Sequence, residues 1–526
     1  MKDSPRPRHS RFAAIFAGGT MASRLLGLVR DFTWTLLPVV SRDAFIVAFR
    51  FPNMLRDLIG EGAANAAFVP VFSATEQESD ESFKKLVASA FGAMLLLLIV
   101  LTAGGMIVLP WLIRGGMRAL NPVTETAPRP EAVVDLMVSL SLWTFPYLFF
   151  IGLAVFMMGP LFTKGRYGPP GWAPVLLNIA FIAATLLFYR SFSEPAYALV
   201  VGVWLGGVAQ LLYLYVAMAR TTGVWLPSFD LRHPGLRTIS LLIFPVILGQ
   251  AAGEINKYVD TIFAATLPRG AVNALFYGNR LVQLPLAIFA TATAVSILPS
   301  LSQAGARADW NEGRTLLRHG LRQSFFLVVP ALLGLCVLAE PIVRLLFEYN
   351  ANGPAETEQM AAAAQYYGAG LLFFAWVRIG ANAYYALQET RTPVLIASAS
   401  MLLNVALNFA FVGPLGFRGL ALATTLAYGV NCTALLILLH RRYGGIFDAR
   451  TATALAKMAV AAAGMAVVAW YTASLIAPLV SEVTVLGRLA VAGGGIAAGM
   501  VSYALLAGLL QLPELHGIWR LVRRRR

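Results

Sequence analysis

Stretches of about twenty hydrophobic residues recur from Phe12 almost to Leu512, separated by short polar segments. A hydrocarbon core about 30 Å thick takes about 20 helical residues to cross, so this pattern predicts membrane-spanning helices along the whole chain. With 58% hydrophobic and 13% charged residues and a mean hydropathy of +0.69, there is too little charge to coat a water-soluble surface of this size. Gly18, Gly19, Arg24, Arg30 and Asp31 interrupt the first apolar run and no small-residue cleavage site follows. That run therefore reads as a retained helix and not a cleaved signal peptide. The two cysteines, Cys336 and Cys432, both lie inside apolar segments and read as packing residues.

Helices are expected at about 12–40, 43–74, 86–113, 133–163, 170–189 and 196–219. After the polar stretch Leu226 to Arg237, eight more follow at about 238–266, 270–302, 314–347, 359–388, 392–412, 417–440, 453–477 and 485–511. Fourteen spans put both termini on one side, and the distribution of basic residues tests that count. One set of loops carries Lys84, Lys85, Lys164, Arg166, Arg220, Arg232, Arg237, Arg307, Arg314, Arg318, Arg391, Arg441, Arg442 and Arg450, with the terminal segments adding Lys2, Arg6, Arg8 and Arg523 to Arg526. The alternate set holds only Arg42, Arg114, Arg118, Arg129, Arg190, Arg269 and Arg418. An asymmetry of roughly threefold, in phase with fourteen helices, places both ends in the cytoplasm. Orientation also accounts for most of the net charge of +15, so no nucleic-acid partner is implied.

The chain repeats itself. Phe68-Val69-Pro70-Val71-Phe72-Ser73 closes the second helix, and Ile297-Leu298-Pro299-Ser300-Leu301-Ser302 closes the eighth, about 229 residues later. Ala173-Pro174-Val175-Leu176-Leu177 and Thr392-Pro393-Val394-Leu395-Ile396 open the fifth and eleventh at a similar offset. An even number of helices lies between, so the halves share one orientation, an arrangement of transporters that bind cargo between their halves. The domains expected are helices one to six in residues 1–226, seven to twelve in 227–445, and two further helices with a basic tail in 446–526. The fold class is all-α: a polytopic membrane protein of about fourteen helices, two six-helix lobes plus a C-terminal pair.

Charge inside the membrane points to function. Arg24, Arg30, Asp31, Arg50, Arg56, Asp57 and Glu61 fall in the first two helices; Glu254, Lys257, Asp260, Arg280 and Arg378 fall in the second half. Each costs roughly 2.5 to 3.5 kcal/mol at a helix centre, so residues like these face a cavity or a partner. Arg30 can neutralise Asp31, and Arg56 either Asp57 or Glu61. Arg24, Arg50, Arg280 and Arg378 have no carboxylate three or four positions away, which leaves positive charge on both halves. Arginine donates two parallel hydrogen bonds to a phosphate and stays charged when partly desolvated, so the cargo expected is an anionic lipid diphosphate. Glycines and prolines at Gly18, Gly19, Gly27, Pro52, Gly60, Gly62, Pro146, Gly152, Gly159, Pro160 and Gly249 serve either close helix packing or hinging.

These residues resemble the MurJ (MviN) family of lipid II flippases, within the superfamily that also holds multidrug exporters and polysaccharide flippases. The likeness rests on Ser23-Arg24-Leu25-Leu26-Gly27-Leu28-Val29-Arg30-Asp31, Asp43-Ala44-Phe45, Pro52-Asn53-Met54-Leu55-Arg56, and Glu61-Gly62-Ala63 through Ala67-Phe68-Val69-Pro70. Phe145-Pro146-Tyr147, Leu177-Asn178, Asn279-Arg280-Leu281 and Leu284-Pro285 extend it. The resemblance implies two lobes around a central cationic cavity and a C-terminal helix pair framing a groove for the lipid tail. It implies Arg24, Arg30, Arg56 and Arg280 as substrate-binding residues and Asp31, Asp43 and Glu61 as functional or structural carboxylates. Arg378 stands where the family can carry a lysine. A sodium site found in some members would correspond to Asp260, Asn404, Asn408 and Thr424, with Asn408 in place of an expected carboxylate. The implied partners are lipid II, membrane lipids and the cell-wall synthesis machinery, in a bacterial inner membrane.

A related exporter of another polyprenyl-diphosphate-linked saccharide is the nearest alternative. A membrane glycosyltransferase would need catalytic carboxylates or a metal site and a large extramembrane loop, whereas no expected loop exceeds about twenty residues. His9, His233, His319, His440 and His516 show no ligand spacing, and no nucleotide-binding motif is present. A transporter without enzyme activity, cofactor or metal centre is therefore expected, with sodium as a candidate coupling ion.

Overall fold

The computed structural model describes residues 6–58, 67–124, 129–307 and 309–515. Among the described residues, its helices can be grouped into the fourteen spans expected from the sequence. The first is α1 (Arg6–Thr33), closed by a 3-10 turn at Trp34–Leu36, and the second is α2 (Val39–Asp57) with α3 (Val69–Glu78). The third is α4 (Asp80–Thr124), the fourth α5 (Glu131–Thr144) with α6 (Tyr147–Thr163), the fifth α7 (Gly168–Phe188) and the sixth α8 (Ala196–Thr222). The seventh is α9 (Pro234–Thr266), and the eighth joins α10 (Ala271–Pro285) to α11 (Thr291–Ala306) through a π turn at Leu286–Ala290. Then come α12 (Trp310–Phe347), α13 (Pro354–Ala369) with α14 (Leu371–Ala386), α15 (Arg391–Leu415), α16 (Phe417–Arg442), α17 (Ala449–Ile476) and α18 (Val485–Leu509).

Three expected single helices are interrupted for local reasons. Proline lacks the amide that continues a helix, and α5 gives way to α6 at Phe145-Pro146 while α10 ends on Pro285. Between α13 and α14 the axis bends by 41° at Gly370, whose Cα lies so close to Thr425 that a Cβ would stand 2.8 Å from its Oγ1. In contrast, α4 is longer than its apolar window. Its 45 residues rise roughly 67 Å, more than twice the core thickness. Ser79 Oγ caps it by accepting from Ser82 N at 3.0 Å, and Asp80–Lys84 and Glu81–Lys85 pairs one turn apart extend it on the polar side.

Nine spans, among the described residues, are each long and apolar enough to cross a membrane, and the bent α13–α14 pair makes a tenth. The four that fall short are α1, α2–α3, α9 and α10–α11, the first two spans of each half, and these carry nearly all the intramembrane charge.

Sidedness is internally consistent. Within each compact unit, several ion pairs between residues of different loops or their flanking turns join loops on the same side of the fourteen-span count. On the lysine- and arginine-rich side Lys164 bridges Glu76 (2.8 Å) and Asp80 (3.2 Å), Arg442 pairs with Glu389 and Arg318 with Asp448 at 2.9 Å. Hydrogen bonds from Lys84 and Lys164 hold the Asp80 carboxyl below its ordinary range. On the other side Arg344 meets Glu482, and Arg418 meets Glu358 at 3.5 Å.

The chain divides into two compact units, Met1–Arg269 and Gly270–Arg526. In the first, α9 packs on α2 and α4, and a cluster of edge-to-face and stacked rings, Trp34, Phe45, Phe49 and Phe181, ties the 3-10 turn after α1 to α2 and α7. In the second, α17 and α18 pack on each other and on α12. Their core is Phe326, Met458 and Ala507, with the Tyr503 hydroxyl donating to the Phe326 carbonyl at 2.8 Å.

Candidate functional site

The charges of α1 and α2 are largely paired. Arg30 donates from Nε and Nη2 to Asp31 Oδ1 at 2.9 and 2.6 Å, and the Asp31 side chain is fully buried. The same guanidinium lies over Trp34 and Phe181, 4.9 and 5.5 Å from their ring centroids. Arg56 repeats the geometry with Asp57 at 3.0 and 2.7 Å. Of its two expected partners Asp57 is the one observed; Glu61 lies outside the described residues.

Arg50 corrects the sequence-based count of unpaired arginines. It carries no acidic neighbour one turn away, yet Glu254, Asp57 and Asp260 all act on it electrostatically. Two of these are on α9, whose Tyr258 ring meets Phe51 beside Arg50, centroids 5.4 Å apart. Glu254 is also bonded to Lys257. The shortage of counter-charge expected along these helices is therefore smaller than expected, because α9 brings carboxylates that local spacing does not reveal. Arg24 is different: it is exposed on α1, and no hydrogen bond or ion pair engages its side chain among the described residues. The residue before it is held from α7, where Asn178 Nδ2 donates to the Ser23 carbonyl at 2.9 Å and to Ser23 Oγ at 3.1 Å.

At the opposite end of α2, Asp43 is fully buried and receives Arg129 Nη2 at 3.5 Å. Arg129 binds more closely to the end of α9, donating to Leu267 O from Nε at 3.0 Å and Nη2 at 2.8 Å, and to Pro268 O at 3.3 Å. Arg42 belongs to α2 and is completely buried, not a loop residue as the charge distribution suggested. Sequence reasoning also missed Arg129 as a junction of three segments, since nothing local distinguishes it from any loop arginine.

In the second unit Arg280 is half-buried on α10 and Arg378 exposed on α14. Asn404, Asn408 and Thr424 come together: Asn408 Nδ2 donates to Asn404 Oδ1 at 3.0 Å, and Asn404 Nδ2 to Thr424 Oγ1 at 3.2 Å. Thr424 in turn donates to Leu420 O at 3.0 Å. Asp260, the fourth residue of that set, stands on α9 in the first unit. The two amides and the hydroxyl carry no formal charge among themselves.

The chain matches the family model described as "Lipid II flippase MurJ" over residues 39–490. It is similar to "Lipid II flippase MurJ" of Burkholderia cenocepacia, 33% identical with 82% of this chain and 83% of the relative covered. It is also similar to "Probable lipid II flippase MurJ" of Haemophilus influenzae, 32% identical with 86% and 90% covered, and of Rhizobium meliloti, 32% identical with 98% and 96% covered. Among solved structures, "Lipid II flippase MurJ, inward closed conformation" shares the fold with a TM-score of 0.76 at 23% identity, over 94% of this chain and 99% of that one. An inward-facing multidrug resistance MATE transporter does so with a TM-score of 0.69 at 15% identity, over 82% and 98%.

Proposed function

The chain belongs to the MurJ family of lipid II flippases, and from that premise we propose that it carries lipid II, a polyprenyl-diphosphate-linked peptidoglycan precursor, from the cytoplasmic to the outer leaflet of a bacterial inner membrane. The proposed cycle is alternating access between lobes of helices one to six and seven to twelve. One orientation admits the headgroup and diphosphate, the lobes rock, and the headgroup is released on the far side while the tail stays in lipid. No bond is made or broken. The observation that carries this reading is Arg24, a guanidinium in a membrane-spanning helix, exposed and without an acidic partner among the described residues, with its backbone neighbour fixed by Asn178. A charge left unneutralised within a span is costly unless it meets water or an anion, and a diphosphate supplies that anion.

Arg30 and Arg56 enter the proposal differently from Arg24. Each already shares one carboxylate oxygen, so each would offer its remaining N–H groups to the cargo while Asp31 or Asp57 holds the fork in place. Arg280 is proposed to contribute from the second lobe. Reconstituted in proteoliposomes, Arg24→Ala and Arg280→Ala are expected to lower lipid II translocation about tenfold or more, the scale of a charge-assisted hydrogen bond. Full rates in both variants would remove the cavity assignment.

Membrane potential is the proposed driver, with sodium as the competing candidate, since one charge crossing 100 mV exchanges roughly 2.3 kcal/mol and the Asn404–Asn408–Thr424 set carries no formal charge. Translocation should survive replacement of sodium by potassium and slow when the potential is collapsed. A requirement for sodium would overturn this choice of driver without touching the cargo.

A further inference from the structure

The connection between the sixth and seventh spans, residues 223–233, does not stand away from the helices. Gly223, with φ 76, ends α8 and turns the chain, and the segment then runs back along the same unit. Tyr215, about two turns before the end of α8, donates its hydroxyl to the Trp225 carbonyl at 2.6 Å, and its ring meets Trp225 edge to face. Ser228 N donates to the Ala88 carbonyl of α4 at 2.8 Å. The approach is so close that a Cβ on Gly92 would stand 2.1 Å from the Ser228 carbonyl oxygen. Ala88 and Gly92 lie beyond Lys85, the last charged residue at that end of α4, and inside its apolar run 86–113. That run rises roughly 42 Å, about the thickness of a bilayer with its headgroup layers. Its first turns therefore sit at headgroup depth, and the segment sits with them.

Two properties set this segment apart from a loop built for water. Its large apolar side chains face outward: Trp225, Leu226, Phe229 and Leu231 are 50%, 78%, 57% and 55% exposed. Much of its backbone, in turn, is satisfied from within the chain. Val224 N donates to Thr222 Oγ1 at 3.2 Å, Asp230 N to Ser228 Oγ at 3.4 Å and Arg232 N to Asp230 Oδ1 at 3.1 Å, while Leu231 N donates to the Phe229 carbonyl at 3.0 Å. Non-helical backbone tolerates a water-poor environment only where such groups find partners. Arg220, Arg232 and Arg237 are exposed around the segment. Aromatic, aliphatic and basic side chains in this combination suit the boundary between lipid and water.

We propose that residues 223–233 form a strap laid into the membrane interface on the basic-loop side, with Trp225, Leu226, Phe229 and Leu231 immersed among headgroups and upper acyl chains and the flanking arginines level with the lipid phosphates. The partner is the bilayer itself and not a protein, because the segment is fastened to α4 at a depth where lipid is the surrounding medium. In the sequence, Leu226 to Arg237 reads as a polar stretch between spans; hydropathy does not register its return along α4. Immersed there, the strap holds the end of α8 and the start of α9 at one depth. The inference needs neither the cargo assignment nor the proposed rocking of the lobes.

The test is spin labelling of the full chain in vesicles of equal parts phosphatidylcholine and phosphatidylglycerol, with Cys336 and Cys432 replaced by alanine. Nitroxides are attached to Leu226→Cys and Phe229→Cys, and for comparison to Glu312→Cys, an exposed position at the start of α12 on the same side. Collision with a water-soluble nickel chelate is expected to be several-fold lower at 226 and 229 than at 312, and collision with oxygen, which concentrates in lipid, to be higher. A second measurement needs no label. In the otherwise unaltered chain, Trp225→Phe should remove part of the tryptophan emission that lipids brominated near the headgroup quench. All substituted side chains of the strap are exposed, so unchanged unfolding midpoints are expected and confirm that the fold is intact. Nickel collision at 226 and 229 equal to that at 312, or an emission loss in Trp225→Phe confined to the unquenched fraction, would overturn the strap and leave these side chains facing water as a surface for a protein.

Discussion

Arg24 and Arg30 lie six residues apart on α1 and differ in what their removal should do. Arg30 and Asp31 form a pair whose carboxylate is fully buried, so deleting Asp31 leaves a largely buried cation without its nearest counter-charge, a loss of about 3–5 kcal/mol for buried pairs. Arg24 has no partner to abandon among the described residues. Asp31→Ala is therefore expected to lower the thermal unfolding midpoint by several degrees, while Arg24→Ala leaves stability within about 0.5 kcal/mol, as exposed substitutions do, and affects transport alone. Thermal unfolding of both variants in detergent distinguishes the two, and equal midpoints would show that the Arg30–Asp31 pair has no structural weight. The same contrast marks what the sequence could reveal. Arg30–Asp31 and Arg56–Asp57 are adjacent in the chain and were readable as pairs. Glu254 is remote in sequence from Arg50, and Asn178 from Ser23, so only the packing of α9 on α2 and of α7 on α1 brings them together. Arg42 was misread for another reason: its charge suggested a loop, whereas the helix carries it fully inside the unit.

Close packing of α1 on α7 depends on reciprocal glycines. A Cβ on Gly19 would stand 2.4 Å from the Gly171 carbonyl oxygen, and a Cβ on Gly171 would stand 2.9 Å from the Phe16 Cα. Backbone opposes backbone, so neither side can yield by turning a side chain. Gly171→Ala is expected to push the helices apart and cost about 1–3 kcal/mol, read as a lower midpoint; Gly18→Ala, where nothing lies within 4 Å, serves as the control and should be neutral or stabilising. Of the two meanings the sequence left open for such glycines, packing is the one seen at Gly19, Gly152 and Gly159. The start of α17 makes a second prediction. Asp448 accepts from the Thr451 side chain and backbone amide and faces Arg318, and these contacts hold its carboxyl below the ordinary value of 3.8. A depressed folded-state value means the contribution is complete above that ordinary value and is lost as pH falls through the folded one. Stability owed to Asp448 should accordingly be constant from about pH 5 upward and decline below about pH 4, a decline that Asp448→Asn should flatten; an unaltered acid profile in that variant would show that the cap titrates with no effect. Element existence was legible because apolar runs of about twenty residues have few alternatives. Their lengths were less so: hydropathy registers the window of α4 inside lipid but is blind to helix continuing into water under Asp80–Lys84 pairing.

For the whole molecule, the strongest constraint is the parity of its loops. Arg129 joins the loop after the third span to the end of the seventh and the start of the second, Lys164 joins the loops after the fourth and second, and Arg344 and Arg488 join Glu348, after the ninth span, to Glu482, after the thirteenth. A missed or invented span in either unit would have forced at least one such contact across the thickness of the bilayer. The contacts group the loops into two sets, and the excess of lysine and arginine on one of them supports its proposed assignment to the cytoplasm. The assignment can be tested in intact cells. With Cys336 and Cys432 replaced by alanine, single cysteines in place of Ser191 and Val483 should react with a membrane-impermeant maleimide, since both positions are exposed and lie after odd-numbered spans. Cysteines in place of Asp230 and Arg391, equally exposed but after even-numbered spans, should react only once the cells are permeabilised. Reversal of the pattern would invert the molecule. Reaction of all four sites from outside would mean that the alternation of fourteen spans fails, and with it the transport route through the charged first and second helices of each half.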